Sequence, residues 1–300
     1  SLANTNEVLY LVNRPGNVVS HEGCVPWIDR AVELVAPYAG EITLRGDTDF
    51  GLTGELDRWD GKAVKFLFGI DAHPKVVKLA EALPEEAWKP LERLPRYEIV
   101  TRPRRKPERV KESMVRFKGY ENKVLIGEDV TEIEYQPLKC SRPYRLIIVR
   151  KNISVQKGER ALFDEIRYFF YMTNREDYAP EQIVSLANGR CHQENVIEQL
   201  KNGVNAMRMP VDDLLSNWAY MVMTALAWNL KAWFGLLLPN ARRGAELIKM
   251  EFRRFLHAII LLPAQIVRTG RRVIYRIMSY NGWLKDLFAA WEHLRWLRVT

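Results

Sequence analysis

The sequence predicts an α/β fold with a β-rich insertion and a helical, basic C-terminal region. Residues 1–71 alternate between strand-like and helix-like patterns, and residues 72–174 contain several strand-like runs after a series of prolines. From Pro180 onward the spacing of apolar residues is helical. Alternating strands and helices are typical of a sheet that is covered by helices.

Three strands and two helices are expected within the first 71 residues. The strands are EVLYLVNRP (7–15), EITLRGD (41–47) and VKFLFGID (64–71). One helix is expected between His21 and Tyr38, and a short one between Thr53 and Asp60. Asp47 falls at the carboxyl end of the second strand, where ligand-binding side chains collect in α/β sheets.

The expected insertion begins with a proline-rich part and continues with strands. The strand-like runs are SMVRF, TEIEY, YRLIIVRKN and IRYFFYMTN. After it, one helix is predicted from Pro180 to Asn202, because proline suits a first helical turn and Gly203 follows the end. Residues 239–300 are expected to be helical.

The stretch from Asn217 to Leu238 is long and apolar enough to be considered as a membrane span. Asn229 and Lys231 interrupt it, and no second clear span is present. A buried core helix that is apolar on all sides is therefore the preferred interpretation.

Positive charge is concentrated in two places on an otherwise neutral chain. The net charge is +8, and residues 241–300 carry 12 Lys/Arg against 4 Asp/Glu. A second basic zone, residues 102–118, has 8 basic and 2 acidic residues. Such zones indicate a polyanionic partner, with nucleic acid as the first candidate. A solvated surface with a basic tail explains the charge equally well.

Cysteine and histidine patterns exclude several classes of site. Cys24, Cys140 and Cys191 are far apart and odd in number, so neither a disulfide framework nor a CxxC metal site is expected. Zinc-binding spacings and phosphate-binding glycine loops are also missing from the sequence. The N-terminus does not resemble a signal peptide, and a reducing, cytoplasmic location is expected.

Two acidic residues are candidates for chemistry. Asp47 could be a metal ligand or general base, but a turn or N-cap role is the alternative, and Asp49 could take the same role. Glu194 shares a predicted helix face with Arg190, Glu198 and Lys201. An exposed salt-bridged stripe is one explanation. A phosphodiester site is the other, with the acid on Mg²⁺ and the cations on phosphate.

Several segments resemble bacterial insertion-sequence DDE transposases, specifically the group numbered thirteen-eighty, which is related to the number four elements. They are VNRPGN, LRGDTDF, GIDAHP, YRLIIVRKN, RYFFYMTN, ANGRCHQENVIEQLKNGV and SNWAYMV. The most specific part is Arg190-x3-Glu194-x6-Lys201, which is similar to the Tyr-x2-Arg-x3-Glu-x6-Lys signature of the family.

The resemblance implies an RNase H-like core, formed by residues 1–71 and 175–238, around the insertion at 72–174. It implies two Mg²⁺ ions, replaceable by Mn²⁺, held by three carboxylates, of which Asp47 is the second and Glu194 the third. The implied reaction is cleavage at the ends of the element and joining to target DNA. Arg190 and Lys201 would contact phosphates, and a homodimer on DNA near the bacterial nucleoid is implied.

The sequence departs from the family pattern in two ways. Ala187 stands where the signature has tyrosine, and no acidic residue occupies the expected first position. The chain is therefore expected to be N-terminally truncated, to lack the first strand of the core, and to lack cleavage activity. Further DNA contacts are expected from Arg104, Arg105 and Lys106 and from Arg271 and Arg272.

Two other functions stay open at this point. A non-enzymatic DNA-binding protein derived from a transposase would keep the basic zones and give no nicked product with Mg²⁺ or Mn²⁺. A membrane-associated protein would use the apolar stretch and the basic tail, and would bind anionic liposomes rather than DNA.

Overall fold

The computed structural model describes residues 1–93, 113–114, 117–157, 160–189, 191–278 and 280–296. The chain forms two compact units. Residues 32–190 form one, which we call the sheet unit, and residues 1–31 with 191–300 form the other, which we call the helical unit. Helix α1, Val25–Val35, is followed by a 3₁₀ turn at Ala36–Tyr38.

A six-stranded mixed sheet is the centre of the sheet unit. Its strands are β1 (Thr43–Gly46), β2 (Lys65–Ile70), β3 (Lys89–Pro90), β4 (Glu121–Tyr135), β5 (Tyr144–Lys157) and β6 (Arg160–Thr173). Their spatial order is β1-β2-β6-β5-β4-β3. Strands β1 and β2 are parallel, and every other pairing is antiparallel. The predicted α/β class is confirmed at this level.

Strand β2 is buried on both faces, which explains its nearly continuous apolar sequence. On one face, the Phe66 and Phe68 rings pack against Tyr144 and Trp59 respectively. On the other face, Leu67 joins a cluster that includes Ile183. Among the residues described in this unit, three helices are α2 (Leu56–Gly61), α3 (Pro74–Glu81) and α4 (Pro180–Asn188). Helices α2 and α4 thus contribute side chains to opposite faces of the sheet.

The helical unit is built around one long helix. Its helices are α5 (Cys191–Glu198), α6 (Leu214–Leu236), α7 (Ala241–Lys249), α8 (Phe252–Phe255) and α9 (Leu284–Trp296). Two π-helical turns, Gln199–Gly203 and Leu256–Ile260, follow α5 and α8. A separate antiparallel hairpin consists of β7 (Ala264–Thr269) and β8 (Arg272–Ile277). The core includes Trp228, Leu247 and Phe252.

The predicted strand over residues 7–15 is wrong. Its backbone hydrogen-bonds to side chains of α6 instead of to another strand. Asn229 Oδ1 accepts from the Val8 amide at 2.8 Å, and Asn229 Nδ2 donates to the Val8 carbonyl at 2.9 Å. The Trp228 indole donates to the Asn6 carbonyl at 2.7 Å. The segment is therefore extended and anchored without belonging to a sheet.

Helix α6 confirms a helix in the apolar stretch but not burial on all sides. Met221, Ala225 and Trp228 are buried, whereas Leu215 and Met223 are 72% and 62% exposed. The helix is thus half-buried. Among the helices of the described residues, none is long and apolar enough to cross a membrane.

Three further expectations need correction. The single helix over Pro180 to Asn202 is two helices, α4 and α5, because α4 ends at its C-cap Gly189. The C-terminal region is not wholly helical, since it contains the β7–β8 hairpin. In the SMVRF segment, Ser113 and Met114 are helical rather than extended. The strands of the expected insertion share one sheet with β1 and β2, and the proposed domain boundaries stay a prediction.

Candidate functional site

Asp47 directly follows β1, as the sequence predicts. Gly46, the last residue of β1, pairs with Phe68 in the parallel strand β2. Asp47 is half-buried at the edge of the sheet where both strands end. The carboxyl edge of parallel strands is the usual place for ligand-facing residues.

Two glycines allow the backbone around Asp47 to pack tightly against β2. A Cβ atom on Gly69 would lie 3.1 Å from Thr48 N and 3.3 Å from Asp47 C. A Cβ atom on Gly46 would lie 2.8 Å from Phe50 Cβ and 2.9 Å from Phe68 Cδ1. Real Cβ atoms essentially never come as close as the one at Gly46 would, and they seldom come as close as the one at Gly69 would. Both positions therefore favour glycine beside the turn that follows Asp47.

The N-cap explanation for Asp47 receives only partial support. Asp47 stands at the N-cap position of the 3₁₀ turn Thr48–Phe50, but its side chain makes no capping hydrogen bond there. Its backbone carbonyl accepts from the Phe50 amide at 3.1 Å. Asp49 lies within that turn and is exposed. The Asp47 side chain therefore does not act as an N-cap of this turn.

Two residues at this edge were not singled out by the sequence analysis. Asp71 follows β2 and is exposed. Arg45 in β1 donates from Nη1 to the Leu186 carbonyl at 2.9 Å, near the end of α4, and burial lowers its pKa from the usual range. A cation suits the negative end of a helix dipole. Arg45 thus ties the strand that positions Asp47 to helix α4.

Glu194 lies on α5 in the helical unit, with its side chain exposed. Val196 of this helix and Leu200 of the π-helical turn that follows it are buried in the core of that unit. Between the described members of the expected stripe, Glu194, Glu198 and Lys201, no ion pair is formed, and Glu198 accepts hydrogen bonds from Gln199 and Asn202. The fourth member, Arg190, lies outside the described residues. Within the described part of the chain, Glu194 has no hydrogen-bond or ion-pair partner.

Lys201 is exposed in the π-helical turn that follows α5. The turn is fixed by Gln199, whose Oε1 accepts from the Phe252 amide at 2.9 Å. A Cβ atom on Gly203 would lie 3.0 Å from that same oxygen and from Phe252 Cβ. π-Helical turns are rare in proteins as a whole, but those that occur are often found at functional sites. Glu194 and Lys201 are thus presented to solvent by one firmly anchored segment.

The remaining site residues of the sequence analysis fall into three groups. Arg271 and Arg272 are exposed on the β7–β8 hairpin. Arg190 and the segment Arg104, Arg105 and Lys106 lie outside the described residues. Ala187, at the signature tyrosine position, is buried on α4. Asp47 and Glu194 belong to different units, so their convergence stays a prediction.

A metal site with three ligands is not formed by the residues that the structure describes. In that part of the chain, no group of three or more His, Cys, Asp or Glu side chains is placed to hold a metal ion. Carboxylates are suitable ligands for Mg²⁺. Asp47 and Glu194 are the two metal ligands expected from the family resemblance, and their role stays a prediction.

Comparison with known proteins identifies one family. The model of the family described as transposase DDE domain group 1 matches residues 3–299, nearly the whole chain. A search of the curated proteins finds no match.

Proposed function

The chain belongs to the family of transposase DDE domains, group 1, and on that basis we propose that it is the catalytic part of an insertion-sequence transposase of the thirteen-eighty group. Proteins of this family act on DNA and generally use divalent metal ions. The proposed reaction is cleavage of phosphodiester bonds at the ends of the element, followed by joining of these ends to target DNA. The proposed fold of the core is RNase H-like.

One observation carries the proposal: the family match over residues 3–299 includes an aspartate placed directly at the end of a parallel strand and an exposed glutamate on an anchored helix. We assign Asp47 and Glu194 to the catalytic centre. Two carboxylates that converge there would attract the Mg²⁺ ions that this chemistry uses, with Mn²⁺ as a substitute.

The side chains around the acids have roles in holding DNA. Lys201 is exposed seven positions after Glu194, so its ammonium group is proposed to neutralise a phosphate beside the site. The same role is assigned to Arg190 by the spacing of the signature. Arg271 and Arg272 are proposed to hold DNA farther along.

We further propose that this chain, by itself, binds DNA without cutting it. Among the described residues, no three His, Cys, Asp or Glu side chains are grouped so that they could hold a metal ion. Two carboxylates alone bind two metal ions poorly. The alternative function, a non-enzymatic DNA-binding protein derived from a transposase, makes the same prediction for binding. A complete transposase would differ from this chain and from such a DNA-binding protein, because it would yield nicked product.

Binding and cleavage are tested with the full chain and a labelled DNA duplex. The proposal predicts retention of the duplex that weakens steeply as salt rises, since basic residues replace counterions on the phosphates. With Mg²⁺ or Mn²⁺, it predicts no nicked product. Metal-dependent nicking that disappears in Glu194→Gln would contradict the proposed lack of cleavage activity, and it would support the proposed catalytic role of Glu194. Absence of any DNA binding would overturn the proposed function as a whole.

A homodimer on DNA is proposed from the family resemblance. Light scattering with and without duplex tests it, and the expected result is two chains per complex on DNA. One chain per duplex at saturating protein would contradict it.

A further inference from the structure

The β7–β8 hairpin is exposed on both faces. Its strands pair from Ala264 with Ile277 to Thr269 with Arg272. Except for Val267 and Ile277, which are half-buried, every residue of the two strands is exposed. Ile266 and Tyr275, which face each other across the strands, are 59% and 68% exposed. A two-stranded hairpin is only marginally stable in water by itself, so such a ribbon is expected to meet a partner surface.

The base of the hairpin is fixed to the helical unit. The Met278 amide donates to the Pro263 carbonyl at 2.8 Å and closes the strands at their open end. Just beyond, Asn281 donates from Nδ2 to the Ala258 carbonyl at 3.1 Å, and Trp283 is buried in the core. The hairpin therefore extends from a rigid base rather than from a loose tail.

The charge of the hairpin defines the class of partner. Between Leu262 and Asn281 the chain carries four arginines and no acidic residue; the arginines are Arg268, Arg271, Arg272 and Arg276. All four are exposed, and none forms an ion pair with another described residue. Uncompensated arginines on a narrow projection are complementary to the phosphates of a nucleic acid.

The pairing register separates two kinds of face. Residues opposite each other share a face, so Gln265, Thr269, Arg272 and Arg276 lie on one side of the ribbon, which we call the polar face. The pair Val267 and Ile274 lies between them on that face. Arginine binds guanine and glutamine binds adenine through paired contacts in the major groove. The opposite face carries the exposed Ile266, Val273 and Tyr275 together with Arg268. The polar face thus has the donors and acceptors that base edges require.

The size of the ribbon fits a groove of duplex DNA. Six paired residues per strand give a length of about 20 Å, at roughly 3.4 Å per residue. The major groove is about 12 Å wide and admits a two-stranded ribbon. Gly270, with φ +53°, lets the chain reverse within two residues at the tip, so the end stays narrow.

We propose that the β7–β8 hairpin is a sequence-reading DNA ribbon, which enters the major groove with Gln265 and Arg276 against base edges and Arg271 and Arg272 against the backbone. This inference rests on the proposed function for the presence of DNA, but it assigns a separate site. It adds base recognition to a part of the chain that is remote in sequence from Asp47.

The test begins by selecting the preferred duplex of the wild-type chain from a pool of randomised duplexes. Affinity for that duplex and for a scrambled one is then measured by fluorescence anisotropy. Arg276→Ala and Gln265→Ala are each expected to weaken binding to the preferred duplex roughly tenfold or more and to affect the scrambled duplex less. Arg271→Ala is expected to weaken both equally and to reduce the salt slope by about one.

The matched control is Arg242→Ala, which removes the same charge from an exposed position on α7. The proposal is overturned if the hairpin variants bind the preferred duplex as the control does. Replacing guanine by 7-deazaguanine should abolish the difference between wild type and Arg276→Ala, and no change would contradict the groove assignment. Altered self-association with unchanged DNA affinity would show that the hairpin pairs two chains instead. If the wild-type chain binds no duplex at all, that result contradicts the proposed function itself, on which the hairpin proposal rests.

Discussion

Gly69 of β2 packs directly on the backbone of Asp47, because a Cβ atom at Gly69 would lie 3.3 Å from the Asp47 carbonyl carbon. The position of the candidate catalytic acid thus depends on a residue of the neighbouring strand that has no side chain. A rigid supporting residue of this kind is what a preorganised site requires.

Replacing Gly69 by alanine is expected to destabilise the chain by about 1–3 kcal/mol, since the added methyl group forces the Asp47–Thr48 backbone to shift. Urea unfolding measures the effect. Gly127→Ala is the matched control, because Gly127 lies in the same sheet and a Cβ atom there meets nothing within 4 Å. Equal stability of the two variants would show that the close packing around Asp47 is relaxed in solution.

Asn229→Leu is expected to cost about 1–3 kcal/mol, because it leaves the Val8 amide and carbonyl without their hydrogen-bond partners. Thermal unfolding gives the cost, and hydrogen exchange at the Val8 amide should accelerate. Leu230→Gln, at an exposed position of the same helix, serves as the control and should change stability by less than about 0.5 kcal/mol. Unchanged exchange at Val8 would contradict the anchoring role of Asn229.

Lys231 gives the chain a specific pH dependence. It is almost fully buried on α6, where its Nζ donates to the Ile248 carbonyl at 2.9 Å and lies 4.1 Å from the centroid of the Trp228 ring. Burial lowers the pKa of Lys231 to about 8. The unfolded chain therefore holds this proton more tightly than the folded chain between pH 8 and the ordinary lysine pKa of about 10.4.

Stability is consequently expected to rise with pH across that window, by about 3 kcal/mol in total, at about 1.4 kcal/mol per pKa unit. Below pH 8 the lysine is charged in both states and its burial penalty is constant. Chemical unfolding at several pH values, compared with Lys231→Met, isolates this group from other lysines and tyrosines. Parallel pH profiles for the two chains would show that Lys231 is hydrated in the folded state.

The strand that ends just before Asp47 could be predicted because its apolar pattern ends at a clear turn signal, Gly46-Asp47. The division between α4 and α5 was missed because Gly189 lies inside an otherwise continuous helical pattern, and the buried contacts of the two helices belong to different cores. The strand-like N-terminal segment was misassigned because its hydrogen-bond partner is the side chain of Asn229, which a local pattern does not show.

The β7–β8 hairpin carried a recognisable signal that was overlooked. Ile266, Val267, Val273 and Ile274 are β-branched, and Thr269-Gly270 lies between them where a tight turn is needed. Arginines and aromatic residues on both sides suggested a basic helix instead. The exposure of both faces, on which the proposed DNA-binding role rests, follows only from the folded structure.

The central proposal is that Asp47 and Glu194 act in one catalytic centre, and a cross-linking measurement tests it most directly. The double variant Asp47→Cys with Glu194→Cys is prepared in a chain in which Cys24, Cys140 and Cys191 are replaced by serine, and is treated with a short bismaleimide. Two metal ions held between these acids require ligands within roughly 8 Å of each other. The account predicts an intramolecular cross-link that both single variants lack. A correctly folded double variant that reacts at both cysteines without becoming cross-linked would contradict it.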